Sequence, residues 1–331
     1  MKVLIIKLTS MGDLMHALPA LTDAAKQIPN IEFDWVVDEN FSEVPLWHPN
    51  VKSVIKTNHR TWKKNIFSFK LVKQLLSIKK MLNKKHYDVV IDMQNNLKSA
   101  AVSFLINKPV HGMDRTSVRE YPAHLAYDFK YKISKENHAI VRQRKLMAMS
   151  LGYKANQEKV DYGTTMERFD SFKSGPIFST TQWKKSLVLV HNASRSSKMW
   201  PIKFWQDLIE YMDKEGYRAI LPSGSKEEYL RAKEIASSNE ESLAIEPMSL
   251  NETAYIINMS EGCVCSDTGL AHLAALLNKP SVIMYSVTDK NLIGTVGQNQ
   301  SHIVSTDSKM ESISPKKVWE EFKLLMSSGG G

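Results

Sequence analysis

Short apolar runs alternate with helix-patterned segments along this chain, in two successive series, and that alternation limits the folds open to it. In the first series the strand-like runs are 2–7, 32–37, 53–56 and 88–92, separated mostly by helical patterns such as "DLMHALPALTDAAKQI". The second begins near residue 186 with "SLVLVHN", "RAILPS", "LAIE", "GCVCSD", "PSVIMY" and "HIVS". Between these lie "IKFWQDLIEYMDKEG", "KEEYLRAKEIASS", "LNETAYIINM" and "GLAHLAALLN", all with helical spacing. Strands that alternate with helices predict parallel sheets covered on both faces. Two series joined by an irregular stretch at 152–185 therefore predict two Rossmann-like α/β domains, for which 331 residues are enough. A last helix is expected in "SPKKVWEEFKLLM", with a serine cap and Pro315 in its first turn, before a glycine-rich tail. Ligands of such folds bind at the carboxyl ends of strands, so the strand-to-helix loops and the cleft between the sheets are where chemistry is expected.

Composition removes several classes. Hydrophobic content of 43% with 24% charged residues is that of a globular protein, and no apolar run approaches the ~18 residues of a spanning helix. The opening "VLII" is interrupted at once by Lys7, unlike a signal peptide, so a cytoplasmic location is expected. The two cysteines, Cys263 and Cys265, share one face of a predicted strand and are expected as buried thiols rather than a metal or redox pair. Net charge is +9, unevenly spread: residues 44–87 hold eleven Lys or Arg and no acid. Within that stretch Leu71, Leu75, Ile78 and Leu82 fall at helical spacing, while Lys70, Lys73, Lys79 and Lys80 lie largely off the stripe. A solvated helix face explains a charge run, but so complete an absence of acids also suits an anionic partner: nucleic acid, membrane surface or phosphorylated substrate.

The familiar nucleotide and nucleophile signatures are missing. There is no G-x-x-x-x-G-K-[ST], no G-x-G-x-x-G and no G-x-S-x-G, and no cluster at metal-ligand spacing, so neither a metal nor a cofactor is expected. Unusual strand-to-helix loops stand in their place. In "LVLVHNASRSSKMWPIKFW" a strand is followed by Ser194, Arg195, Ser196, Ser197 and Lys198, a set of hydroxyls, basic groups and helix-start N–H donors that suits a pyrophosphate. A polar capped loop is the plainer alternative. In "GCVCSDTGLAHLAALL" the loop is Ser266-Asp267-Thr268-Gly269, followed one turn later by His272; Thr268 and Gly269 can offer N–H groups, while Asp267 alone would be a cap and His272 alone a structural histidine. A third loop, in "ILPSGSKEEYLRAKE", carries Gly224 and then Glu228 where the helix dipole favours an acid. At the front of the chain the first strand runs into Ser10-Met11-Gly12-Asp13, where Asp13 either caps the next helix or faces a cleft and moves a proton.

Together, "KLTSMGDLMHALPALTDA", "HGMD", "HNASRSSKMWP" and "SDTGLAHLAALLNKPSVIMY" resemble the ADP-heptose:lipopolysaccharide heptosyltransferases, glycosyltransferase family 9, in order and spacing over essentially the whole chain. "FDWVVDENF", "LWHP" and "VIDMQNNLKSAA" fit the same pattern. The resemblance implies a GT-B fold, with two facing Rossmann-like domains and a deep interdomain cleft. It places an acceptor domain at 1–170 and a nucleotide-sugar domain at 171–313, with part of the last helix, about 314–326, packing back on the first. It implies an inverting, metal-independent transferase that moves L-glycero-D-manno-heptose from ADP-heptose to a Kdo sugar of Kdo2-lipid A. The alternative is heptosyltransferase II or another ADP-heptose transferase of the family.

By that resemblance Asp13 is the base that takes the acceptor proton, and Lys198 is the cation on the leaving diphosphate, assisted by Ser194, Thr268 and Gly269. Glu228 matches a ribose contact, Met248 lies near the adenine, and Asp267 and His272 hold heptose hydroxyls. Arg60, Lys63, Lys64, Lys98 and Arg119 match positions that hold the anionic acceptor, beside Ser10 and Gly12. Peripheral contact with the anionic inner membrane, on its cytoplasmic face, is implied as well, and no nucleic-acid partner. Two departures stand out: Thr61 occupies the place of a second arginine in "RRW", and "SRSSK" replaces a more acidic "TRDDK". A two-domain sugar-binding protein and a nicotinamide oxidoreductase are the rival classes. The absent signal peptide counts against the first and the absent glycine fingerprint against the second.

Overall fold

The computed structural model describes residues 1–58, 69–155, 159–165, 168–169 and 185–328. The chain divides into two compact units, Met1–Gly163 and Thr164–Gly331. In the first, six strands pair in parallel: β1 (Lys2–Ile6), β2 (Glu32–Asp38), β3 (Val51–Thr57), β4 (Val89–Asp92), β5 (Val110–Met113) and β6 (Phe129–Tyr131). Their order across the sheet is β3-β2-β1-β4-β5-β6. The second unit repeats the plan with β7 (Ser186–Val190), β8 (Arg218–Ser223), β9 (Leu243–Pro247), β10 (Gly262–Ser266), β11 (Ser281–Tyr285) and β12 (Gln300–Val304), again all parallel, in the order β12-β11-β10-β7-β8-β9. Both sheets are of the α/β, Rossmann-like kind predicted from the alternation.

The strand sequences show why. Val3, Leu4, Ile5 and Ile6 are all buried, as is every residue of β7 and β10, because helices cover both faces of these central strands. Cys263 and Cys265 are buried free thiols on β10. In the first unit the helices Leu18–Gln27 and Ala139–Leu151 pack against one another. A two-pronged ion pair joins them, with Arg144 Nε donating to Asp23 Oδ2 at 2.6 Å and Nη2 to Oδ1 at 3.1 Å, and both side chains buried. The helix Phe69–Lys84 and the helix Leu97–Ser103 follow β3 and β4. Right-handed crossovers in this strand order place both on the opposite face of the sheet.

Some elements differ from the expectation. The single helix predicted after β1 is two, Met11–Met15 and Leu18–Gln27, because Pro19 lacks an N–H and cannot continue the first turn, whereas it is accommodated at the start of the second helix. β5, β6 and the helix Ala139–Leu151 were not among the predicted elements. β5 has only four residues and β6 three, with His111, Gly112 and Lys130 among them, too few and too polar for an apolar run to reveal. The last helix, Pro315–Ser328, starts as expected, with the Ser314 hydroxyl accepting from Lys317 N. It buries Val318, Trp319 and Phe322 in the core of the second unit, beside Trp200 and Trp205. Gly262 permits that approach: a Cβ there would stand 2.7 Å from the Phe322 ring and from the Pro280 carbonyl.

Candidate active site

In each sheet the strand order reverses at one place, between β1 and β4 in the first and between β7 and β10 in the second. Loops that leave neighbouring strands there diverge to opposite faces, which opens a crevice at the carboxyl edge. The sequence-predicted residues Ser10, Gly12, Asp13, Ser194, Lys198, Asp267, Thr268 and Gly269 all lie on the loops or helix starts after β1, β7 and β10.

In the first unit the loop after β1 is held from behind by the loop after β4. Gln94 Oε1 accepts from the N–H groups of Leu8 and Thr9 at 3.1 and 3.2 Å, and Lys7 Nζ donates to the Met93 carbonyl at 2.9 Å. The Thr9–Ser10 peptide is cis. Ser10 then opens the helix Met11–Met15, and its N–H and its hydroxyl both donate to Asp13 Oδ2, at 3.1 and 3.2 Å. Asp13 does cap, through one oxygen. Its Oδ1 has no partner among the described residues, and Arg119 Nη1 stands 3.7 Å from Oδ2. Lys98 is exposed in the first turn of Leu97–Ser103. Arg60, Lys63 and Lys64 lie outside the described residues.

The support beneath this loop was not foreseen. Asp92, at the end of β4, is fully buried; Oδ1 accepts from Gln94 N and Asn95 N, and Oδ2 from the hydroxyl of Tyr127 at 2.9 Å. Burial raises its pKa, against the pull of those hydrogen bonds. Gly112 makes room for the tyrosine, since a Cβ there would stand 2.3 Å from the Tyr127 ring, which accounts for the glycine of "HGMD". The signal was present as "DMQNN", a polar cluster directly after an apolar strand, but its partners lie up to 86 residues away.

Lys7 carries a consequence for pH. Burial lowers its pKa to about 8, while Asp13 and Asp92 pull it up and Arg119 and Arg142 push it down. Below pH 8 folded and unfolded chains both hold the proton, and burying the charge costs about 3 kcal/mol. Between 8 and 10.5 the unfolded chain keeps it and the folded chain has released it, so stability rises with pH. In Lys7→Met this rise of about 2–3 kcal/mol between pH 7.5 and 10 should vanish from paired urea titrations. Met93 O stays satisfied by Gln143 Nε2 at 3.1 Å, so the variant orphans no carbonyl. An unchanged slope would show that Lys7 does not titrate there.

In the second unit the short turn Ser196–Lys198 leads into the helix Ile202–Asp213. Lys198 Nζ pairs with Asp267 Oδ2 at 2.6 Å, their side chains only 15% and 9% exposed. The Thr288 hydroxyl donates to the same oxygen, and the Ser286 hydroxyl donates to Ser197 O at 2.9 Å. Loops after β7, β10 and β11 are thus tied together, and Thr288 and Ser286 had escaped the sequence reading. An ammonium has three donors, and among the described residues Lys198 Nζ spends one, on Asp267. Ser194 is exposed on the same loop as Lys198, and Thr268 is the N-cap of the helix Gly269–Leu276, on which His272 is buried. Glu228 turns back to its own loop, where Gly224 N donates to Oε2 at 2.7 Å, and Met248 N donates to Ser223 O at 3.3 Å, which brings the loops after β8 and β9 side by side. His191, at the end of β7, is held down at about 3 by burial and by the Arg231 charge, and stays neutral at ordinary pH. Among the described residues no group of three His, Cys, Asp or Glu is placed to hold a metal.

Comparison with known proteins agrees with this architecture. The family model glycosyltransferase family 9 (heptosyltransferase) matches residues 75–322. Lipopolysaccharide heptosyltransferase 1 of Escherichia coli strain K12 is 37% identical over 326 residues, 98% of this chain and 100% of that protein. The solved structure of E. coli heptosyltransferase WaaC with ADP superposes with a TM-score of 0.91 at 37% identity, covering 98% of this chain and 100% of that one. The same enzyme with ADP-2-deoxy-2-fluoro heptose gives 0.87 at 35% identity, with both chains covered in full. The chain belongs to glycosyltransferase family 9, the heptosyltransferases, and its fold is of the GT-B class.

Proposed function

We propose that this heptosyltransferase moves L-glycero-D-manno-heptose from ADP-heptose to a Kdo sugar of Kdo2-lipid A, with inversion at the heptose C1. The full-length similarity to lipopolysaccharide heptosyltransferase 1 and the ADP-heptose analogue bound to a structural relative support donor and acceptor class. The observation that carries the chemistry is the Asp13 carboxylate, whose Oδ2 is tied to Ser10 while its Oδ1 has no partner among the described residues. In the proposed step Asp13 takes the proton of the acceptor hydroxyl as that oxygen bonds to C1. The C1–O bond to the diphosphate breaks, and ADP leaves with its electron pair. Lys198 and the N–H groups of Thr268 and Gly269 meet the charge that builds on the leaving phosphate. Ser194 assists there, Glu228 takes the ribose and Met248 lines the adenine position. Asp267 and His272 hold the sugar hydroxyls. Arg119 and Lys98, with Arg60, Lys63 and Lys64, hold the anionic acceptor beside Ser10 and Gly12.

We place the acceptor on residues 1–170 and the donor on 171–313, and the enzyme on the cytoplasmic face of the inner membrane, as a peripheral protein. No helix among the described residues is long and apolar enough to cross a membrane. Mass spectrometry of Kdo2-lipid A after incubation with ADP-heptose and the protein should show a gain of one heptose. A gain only on an acceptor that already carries heptose would move the assignment to heptosyltransferase II.

A further inference from the structure

A lipid acceptor must be met at a membrane surface, and one face of the first unit has the chemistry for it. On the helix Phe69–Lys84, Ile78 and Leu82 are buried against the sheet. Lys73, Leu76, Lys80 and Lys84 fall at three- and four-residue spacing on the opposite side and are exposed, Leu76 at 61%. An exposed leucine among lysines on an outward helix face pairs an apolar contact with the positive charge that anionic lipid attracts.

That helix is not alone. The Asn83 side chain at its end donates to Leu105 O and accepts from Asn107 N, both at 2.8 Å. This fixes the segment that carries Phe104, 70% exposed, beside the helix terminus. Phe104 closes the helix Leu97–Ser103, whose first N–H, that of Leu97, donates to Glu120 Oε2 at 2.8 Å. Glu120 precedes the turn Tyr121–Ala126, where Tyr121 and Leu125 are also exposed. One tied surface therefore offers Leu76, Phe104, Tyr121 and Leu125, with the exposed lysines of the helix Phe69–Lys84 on one side.

Charge says which occupant it fits. Residues 69–108 hold eight lysines and only two acids. Asp92 is buried, and Asp88 accepts from Lys2 N at 2.7 Å. A protein partner would bury a contiguous apolar core, whereas single apolar side chains spaced by lysines match an anionic headgroup layer, with the stems along the interface.

We propose that this face, made by the helices Phe69–Lys84 and Leu97–Ser103 and the turn Tyr121–Ala126, docks the chain on an anionic phospholipid bilayer. The inference rests on the lipid-acceptor reading above and names the surface that serves it.

The test uses the full chain and vesicles that contain no acceptor, so that it stands apart from the transfer assay. Co-sedimentation is measured with phosphatidylglycerol/phosphatidylethanolamine vesicles and with phosphatidylcholine vesicles. Wild type should bind the anionic vesicles and bind less as salt rises. Lys73→Glu/Lys80→Glu/Lys84→Glu should lower the partition coefficient ~100-fold or more, at about fivefold for each basic group lost. Leu76→Ser/Phe104→Ser should lower it roughly tenfold without altering the salt dependence. Both variants should keep wild-type turnover on a deacylated, water-soluble Kdo acceptor, which shows them folded and active. Failure of wild type to bind anionic vesicles, or equal binding by folded variants, overturns the proposal. Loss of transfer to every Kdo acceptor with vesicle binding intact would instead count against the acceptor reading alone.

Discussion

Asp13→Asn should lower transfer at least a hundredfold and up to about 10⁴-fold, the range a positioned general base contributes. The substitution is chosen because it separates the cap that Asp13 makes in the structure from the proton transfer proposed for it. As a cap it accepts from the N–H and hydroxyl of Ser10 through Oδ2. An asparagine amide oxygen can accept the same two bonds, so the cap survives. What asparagine cannot do is take a proton. The Arg119 contact at 3.7 Å is also lost, but Arg119 is well exposed and such pairs contribute little. Thermal unfolding should therefore stay within a few degrees of wild type, a ΔΔG of about 1 kcal/mol or less. Steady-state turnover with ADP-heptose and a Kdo acceptor, together with circular dichroism melts, decides the matter. Turnover near wild type in a folded Asp13→Asn would reduce the aspartate to its cap.

In the sequence Asp13 offers cap and base as alternatives; in the structure it caps through Oδ2. Much of the fold was legible, because a strand buried on both faces has no freedom in composition: β1, β7 and β10 are apolar throughout or nearly so. Short peripheral strands were not, since β6 carries Phe129, Lys130 and Tyr131, all at least partly exposed. The helical pattern runs unbroken through Pro19, which in the structure sits in the first turn of a second helix. Site loops were legible one at a time, as polar residues between a strand and a helix. Their pairings were not. Lys198 meets Asp267 across 69 residues and Gln94 holds Leu8 across 86. Those partners become neighbours only once the order β7-β10 or β1-β4 is known, and strand order is not written in local pattern.

The Lys198–Asp267 pairing changes what substitution at Lys198 should do. Read from sequence, Lys198→Ala is expected to weaken catalysis more than stability. With both side chains largely buried and the carboxylate 2.6 Å from the ammonium, removal of the lysine also leaves a buried charge without its cation. Breaking such a pair costs about 3–5 kcal/mol, and the lower end is expected here because the Thr288 hydroxyl still donates to Asp267. Lys198→Met should thus lower turnover roughly 10²–10³-fold, by loss of the cation proposed to meet the leaving group, and destabilise the fold by about 3 kcal/mol. The two losses have different remedies. In Lys198→Met/Asp267→Asn no charge is left to bury, so urea titration should recover most of the stability, while turnover stays at or below the single variant's level. A double variant as unstable as the single one would mean that the cost is lost packing of the lysine stem. Wild-type turnover in folded Lys198→Met would remove the lysine from the chemistry and leave it as Asp267's structural partner.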